Sequence, residues 1–423
     1  MAERPQPAVI RAWRAGDRTQ LTVVSISHAI QHCYPAVLGI VYPFALADFH
    51  ASYAVLGVIL GLSGLAGNLL QGLAGWVRRA PAGTLLAFQN LGLGVATVVG
   101  AVSPGILVFG LARVLGTLVS WPQHPVGSAH LTDRVPHRRG YVLAVHTTGG
   151  NVGTLVGPVV ASAIIAAFNW RWALASLAVL TLFGGFLTAT RMPAAPDQPG
   201  GHDPRPAPAD GGGGAVAVSR PPLTLARALR RRNAAAVLAA GIISAAGRGL
   251  GVLTTYLPAY LRNSLHEPIF TIGVLVTIVS VGAIAGPLLG GQLSDRIGRR
   301  LVLYTLYAGG AVALSMYVLA GSGLVALALL GLLVGIFTYS EQPVRQALFS
   351  DAMQGVPARA AFGAYFAISQ SIGALWISAL GFIVTYVSFH AAFFVMAASF
   401  VVAGAVIAIF ARDPLPVPEP AAR

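Results

Sequence analysis

Lysine is absent from this chain of 423 residues, and all 27 of its basic residues are arginine. That excludes a phosphate-binding loop of the Gly-Lys-Ser/Thr type and any cofactor chemistry that needs a lysine Schiff base. Charge of either sign is scarce, at 9% of residues, where a soluble globular chain carries about 25%. A single cysteine, Cys33, leaves no disulfide within the chain and no cysteine-based metal centre. ATP hydrolysis by the usual loop is ruled out, so uphill work must draw on an ion gradient or on another subunit.

Apolar residues fill the chain instead, at 56% of the total. Runs of the roughly 20 residues needed to cross a bilayer recur over 20–45, 53–76, 82–102, 104–127, 140–166, 170–190, 234–261, 269–293, 301–320, 323–346, 360–386 and 389–411. The first run is too long for a signal-peptide core and lacks a small-residue cleavage site, so it is expected to remain as a helix. The chain reads as an all-α membrane protein of twelve transmembrane helices in two six-helix, pseudo-symmetric halves. Residues 1–19 form a tail, 20–191 one bundle, 192–232 a linker, 233–411 a second bundle and 412–423 a second tail.

The linker is rich in Pro and Gly from Pro193 to Pro222 and includes Gly211 to Gly214, the composition of a disordered connector. Its end, Leu223 to Arg232, sets leucines and arginines on different sides of a short helix. That pattern suits either an amphipathic helix lying on the membrane or a solvated charge run ahead of span seven. The net charge of +14 would suggest nucleic acid in a soluble chain, but there is no folded soluble domain to carry a basic face. With both termini in the cytoplasm, the arginines fall in cytoplasmic tails and loops with four exceptions. Arg171 and Arg262 lie outside, and Arg113 and Arg248 lie within spans. That is the positive-inside pattern.

The halves repeat. Span four ends Gln123-His-Pro-Val-Gly-Ser-Ala-His-Leu-Thr-Asp133, and span ten ends Glu341-Gln-Pro-Val-Arg-Gln-Ala-Leu-Phe-Ser-Asp351. Pro, Val, Ala and Asp match at one offset. Gly57 and Val58 likewise face Gly273 and Val274, and nearly the same offset sets His32 against Arg248. An internal duplication of this kind places a binding site between the repeats near mid-membrane.

Span eight ends in Gly291-Gln-Leu-Ser-Asp-Arg-Ile-Gly-Arg-Arg300, which completes the spacing G-x-L-x-D-R-x-G-R-R. It resembles the signature loop of the major facilitator superfamily of secondary transporters. In the first half the matching segment, Gln71 to Arg79, has Gly75 and Trp76 where Asp and Arg are expected. The resemblance implies an asymmetric cytoplasmic gate built from Gly291, Asp295, Arg296, Gly298, Arg299 and Arg300, with Arg345 and Asp351 beside them. Span eight also matches G-x8-G-x3-G-P-x2-G-G through Gly273, Gly282, Gly286, Pro287, Gly290 and Gly291. Span five matches only Gly153, Gly157 and Pro158 of that pattern. Small residues and proline at these places predict close helix packing and kinks.

Ionisable side chains inside a bilayer cost about 2.5–3.5 kcal/mol on insertion scales and mark pathways. Those well inside spans are His28, His32, Arg113, His124, His146, Arg248 and Glu341. The family resemblance implies that spans one, four, seven and ten line the cavity, and all but His146 fall on them. His28 and His32 share one helical face and could bind substrate or relay protons, or be neutral and hydrogen-bonded within the bundle. His146 reads as a packed helix residue. Arg113 and Arg248 against Glu341 leave the cavity positively charged; the alternative for Arg113 is a structural bond to backbone carbonyls. Glu341 is the candidate for proton coupling, with an intrahelical pair to Arg345 as the alternative.

Gln123 to Ala129, Arg138-Arg-Gly140, the glycines from Gly149 to Gly157, and Trp170-Arg-Trp172 resemble the fosmidomycin-resistance-like branch of the superfamily. The branch implies proton-driven efflux of a small compound, and two cavity arginines suit an anion. The expectation is a bacterial inner-membrane transporter, not an enzyme. It would have no metal, no cofactor and no ATP, take its energy from the proton gradient, and work as a monomer in the lipid bilayer on a small-molecule substrate. A metabolite or sugar-like permease is the runner-up. A membrane enzyme or sensor would need a motif such as HExxH, an intramembrane aspartate pair or an added domain, and none is found in the sequence.

Overall fold

A bilayer offers no water to peptide groups, so each crossing must satisfy its own backbone as a helix. In the computed structural model, which describes residues 16–72, 80–135, 138–192, 225–356 and 358–411, this is how the apolar runs fold. Span one is Asp17–Asp48, span two Tyr53–Gly72, span three Ala82–Ala101, span four Ile106–Arg134, span five Arg139–Ala167 and span six Trp170–Arg191. Spans eight to ten are Ile269–Ile297, Arg299–Leu319 and Leu324–Ala352. Span eleven covers Gly363–Tyr386 and span twelve Phe389–Phe410. The first-half loop with Gly75 and Trp76, the linker from 193 to 224, and the tails over 1–15 and 412–423 lie outside the described residues.

Span seven differs from the single run expected over 234–261. It is two helices, Arg232–Ser244 and Thr254–Asn263. Between them Gly247, Gly249 and Gly251 flank Arg248, and Gly251 takes a φ of 97°, a left-handed conformation open to glycine at little cost. Among the described residues eleven other helices are long and apolar enough to cross a membrane, and the broken span makes the twelfth crossing. Span four also changes pitch, with a wide π-type turn over Gln123–Gly127. The N-terminal helix starts earlier than expected, at Asp17. That residue is buried, 2.7 Å from the Arg134 guanidinium. At the linker's basic end, Leu225–Leu229 form a short helix of five residues.

Glycine sets how closely the spans approach. A Cβ at Gly149 would stand 2.4 Å from the carbonyl oxygen of Ser25, and one at Gly153 1.9 Å from that of Ala29, so span five lies backbone to backbone on span one. Gly282 and Gly286 do the same for span eight against span ten: their added Cβ atoms would meet the carbonyls of Leu332 at 2.3 Å and Ile336 at 2.5 Å. From the other side, Gly335 would meet the carbonyl of Val279 at 2.0 Å. Gly157 and Pro158 sit in span five as Gly286 and Pro287 sit in span eight.

The halves join at the ends of the spans away from the chain termini. The amide of Ala54 donates to Thr385 Oγ1 at 2.9 Å, Asn263 Nδ2 to the Tyr53 hydroxyl at 2.7 Å, and Ser378 Oγ to the carbonyl of Gly57 at 2.8 Å. Gly39 abuts the backbone of Thr254, and Gly273 abuts Ser162 and Pro158. The deepest of these bonds runs from Asn68 Nδ2 to the carbonyl of Gln370, at 3.1 Å. Gly335→Ala is expected to lower the thermal unfolding midpoint in detergent, at the upper end of the roughly 1–3 kcal/mol that overpacking costs. Gly291→Ala, whose Cβ meets nothing within 4 Å, leaves it unchanged. Equal midpoints would mean that spans eight and ten do not pack as described.

Candidate transport site

Two polar clusters occupy the middle of the bundle, one in each half. In the C-terminal half, Glu341 has no exposed surface and neither does Arg345, one helical turn further along span ten. Arg345 Nε lies 3.1 Å from Glu341 Oε2, and its Nη2 donates to Oε1 at 3.3 Å. Arg248, from the break in span seven, brings Nε to 3.7 Å from Oε1. The Tyr307 hydroxyl of span nine donates to Oε2 at 3.3 Å. Arg248 is held in turn by Gln370 Oε1 of span eleven and by the carbonyl of Gly241, 3.1 Å from Nη2. Gly241 also leaves room for Arg345, since a Cβ there would meet its guanidinium.

Taking a carboxylate fully out of water is repaid only by close, well-bonded cations. Here two arginines and a tyrosine converge on one carboxylate, so the cluster carries one net positive charge. This is the intrahelical pair that the sequence offered as the alternative for Glu341, and it replaces the expected place of Arg345 at the gate. Span ten continues as helix to Ala352, beyond the apolar run, so Arg345 is interior. It is a fifth exception to the cytoplasmic placing of the arginines.

Arg113 does not join this cluster. Its guanidinium lies 5.0 Å from the ring centre of Tyr34 and 5.9 Å from that of Tyr42, inside the N-terminal half. There, a void of about 10 Å³ is lined by Tyr34, Thr97, Phe109 and Leu174 among others, large enough for about one water. The two positive charges near Glu341 are therefore Arg248 and Arg345, with Arg113 held on aromatic faces.

The N-terminal cluster is made of histidines. His28 is buried, and its ring centre is 4.5 Å from that of His32, 5.1 Å from His124 and 4.0 Å from His146. His32 and His124 are 5.6 Å apart. His146 stacks on His28 with its ring only 19° from parallel, so the fourth histidine, expected as a plain packed residue, belongs to the group. His28 Nδ1 donates to the carbonyl of His146 at 2.7 Å, and His32 Nδ1 lies 3.2 Å from Thr154 Oγ1. Beside them runs an uncharged network: Ser27 Oγ donates to Gln123 Oε1 at 2.7 Å and Gln89 Nε2 to the same oxygen at 2.9 Å. At the offset that sets Pro125 against Pro343, Gln123 falls on Glu341 and Gln89 on Tyr307. One notch exists twice, neutral in one half and charged in the other.

The signature loop is an ion-paired corner of the C-terminal half. Arg299 Nη1 is 2.5 Å from Asp351 Oδ2, and its Nη2 is 3.8 Å from Asp295. Arg300 donates to the Tyr304 hydroxyl at 2.7 Å, and Arg296 is exposed. Gly298, with a φ of 98°, turns the chain between spans eight and nine.

A twelve-crossing bundle of two repeated halves, with polar clusters at mid-membrane and a charged corner at one end, defines a secondary-transporter fold. The chain belongs to the Major Facilitator Superfamily, whose family model matches residues 24–271 and 237–423; it is a multi-pass membrane transporter, not an enzyme. It is 24% identical to the fosmidomycin resistance protein of Escherichia coli over 408 residues, which cover 92% of this chain and 93% of that one. It is 23% identical to a probable sulfoacetate transporter, SauU, of Cupriavidus necator over 66% of this chain and 65% of that one. Its fold matches a crystal structure of a mutant of the nucleoside transporter NupG with a TM-score of 0.71 at 15% identity, covering 93% of this chain and 100% of that one.

Arg345→Met strips Glu341 of its nearest cation and is expected to cost about 3–5 kcal/mol of stability. Arg248→Met, more distant from the carboxylate, costs less. Thermal unfolding of the purified variants in detergent checks the order, and the reverse order would place the main ion pair on Arg248.

Proposed function

We propose that the protein is a secondary exporter of a small anionic or amphipathic compound, working by alternating access in the bacterial inner membrane with both termini in the cytoplasm. The observation that carries this reading is the buried cluster of two arginines and one glutamate. Arg345 neutralises Glu341, and Arg248 is left with its 3.7 Å contact and two uncharged partners. Arg248 is thus the cation with capacity to spare for an incoming anion, and an arginine stays charged in proteins. Because it sits in the broken part of span seven, it can follow a ligand by moving backbone rather than a whole helix.

The relatives' names support the chemistry. Fosmidomycin is a phosphonate and sulfoacetate a sulfonate, both anions that an arginine fork binds well. Export of an anion is also favoured by an inside-negative potential, by about 2.3 kcal/mol per charge per 100 mV. The arginine distribution supports the cytoplasmic placing of the termini. The side on which the halves are joined is then the outer one. The proton gradient is the energy source, coupled through Glu341, and the working unit is a single chain.

A second reading is favoured by the charge count at the same place. A protonated Glu341 leaves two uncompensated arginines, which attracts an anion, so proton and anion would travel together and the protein would be an importer of a metabolite. The two readings differ in sign: co-transport raises the affinity for the anion as pH falls, and exchange lowers it.

In a host lacking its own exporters, the wild type is expected to confer resistance to a toxic phosphonate, with Arg248→Ala abolishing it. Loss of one charged hydrogen bond, roughly 1.5–3 kcal/mol, should raise KM about ten- to hundred-fold. In everted vesicles with an imposed pH gradient, Glu341→Gln should make accumulation independent of the gradient. Unchanged gradient dependence would remove Glu341 from coupling, and gain of uptake in place of resistance would overturn export.

A further inference from the structure

The histidine cluster is unused by the reading above, and its geometry is that of a set of ligands. One nitrogen from each of His28, His32 and His124 can be chosen so that no two lie more than 4.8 Å apart. Around a tetrahedral zinc, with Zn–N near 2.0–2.1 Å, ligand atoms are about 3.3 Å apart. A pair at the 4.8 Å limit would have to close by about 1.5 Å, shared between two side chains, to reach that spacing.

The hydrogen bonds fix which nitrogens are free. A carbonyl oxygen only accepts, so His28 Nδ1 must carry its proton toward His146, 2.7 Å away. That leaves Nε2 as a bare lone pair, and this atom is buried with no hydrogen-bond partner. Thr154 Oγ1 donates its own proton to the carbonyl of Gly150 at 3.3 Å and therefore accepts from His32 Nδ1. His32 Nε2 is then also a lone pair. An imidazole tied through one nitrogen to a backbone or hydroxyl oxygen and presenting the other is the usual arrangement of a metal-binding histidine. Gly150 has its role in this: a Cβ there would stand 2.8 Å from the His28 ring.

We propose that His28, His32 and His124 form a binding site for a borderline divalent transition-metal ion such as Zn²⁺, with a fourth position left open. Three neutral imidazoles with no thiolate or carboxylate among them suit zinc, nickel, cobalt or copper rather than magnesium or calcium. The titratable groups acting on His28 are His32, His146 and His124, so the set carries no acidic group for a hard cation. His124 is exposed and gives the ion its way in. It stands on the π-type turn of span four, a distortion that often marks functional sites. His146 is a positioning residue: its carbonyl fixes the His28 tautomer and its ring stacks on the His28 face. Thr154 does the same for His32.

The test uses tag-free, full-length protein in detergent. Addition of Co²⁺ is expected to give visible d–d absorption of a four-coordinate site at one equivalent, displaced by Zn²⁺. Zn²⁺ alone should raise the unfolding midpoint. His124→Ala, whose side chain is exposed and whose loss should leave the metal-free midpoint unchanged, is expected to abolish the cobalt spectrum. Thr154→Val should weaken Zn²⁺ by roughly 10–100-fold and keep the spectrum's shape. His390→Ala, far from the cluster in sequence and half, should change nothing. Absence of a spectrum in the wild type, or an equal spectrum in His124→Ala, would overturn the site. Neither outcome touches the arginine cluster, so the metal site and the export reading fail separately.

Discussion

A carboxylate with no exposed surface, held between two arginines, is the constraint around which the C-terminal half is arranged. Glu341 can be buried only because Arg345 reaches it within its own helix and Arg248 reaches it from another. The second requirement breaks span seven. A continuous helix would fix Arg248 on one face at one height, whereas the glycine-flanked gap lets its backbone turn extended, with φ −63° and ψ 135°. Tyr307, Gln370 and the carbonyl of Gly241 then complete the bonding. The opening of the helix, the glycine at 241 and the tyrosine of span nine are consequences of one buried charge.

Much of this architecture was legible in the sequence because bilayer physics is blunt. Runs of apolar residues must be helices, and glycines four apart on span five or span eight permit backbone contact. Glu341 and Arg248 stood out because each interrupts such a run. What could not be read was direction around and along the helices. Arg345 lies near the end of its apolar run and so looked like an end-of-helix cation as much as a partner of Glu341; the helix continues beyond it, and the pairing is the one that forms. Arg113 looked like a cavity residue because its span was expected to line the cavity, yet it points between Tyr34 and Tyr42. The break in span seven did leave a signal, three glycines around one arginine, that hydropathy alone smooths over. His146 was missed as a partner because nothing in sequence spacing shows that span five brings it over His28.

The two clusters divide the labour of the molecule by chemistry. The C-terminal cluster is charged, hydrogen-bonded and shielded, whereas the N-terminal one is made of neutral donors and acceptors, with Arg113 apart from it on the rings of Tyr34 and Tyr42. The joints between halves rely on small residues and single hydrogen bonds, such as those of Ala54, Ser378 and Asn68. Contacts of that kind can be exchanged for equivalent ones on the opposite side at little cost, which a rocking motion requires. Within each half, tight backbone contacts run through Gly149, Gly153, Gly282 and Gly286; between the halves, such contacts occur at Gly39, Gly57 and Gly381.

The duplicated notch has an evolutionary side. Glutamine at 123 and glutamate at 341 occupy equivalent places, and their codons differ by one base. A single nucleotide change interconverts them, but only one repeat can hold the charge. At the place of Arg345 the first half carries Gly127, so a glutamate at 123 would be buried without its intrahelical cation. Moving the carboxylate to its twin would therefore take at least two changes, the acid and its cation, and the asymmetry between the halves is locked in by the pair rather than by either residue alone.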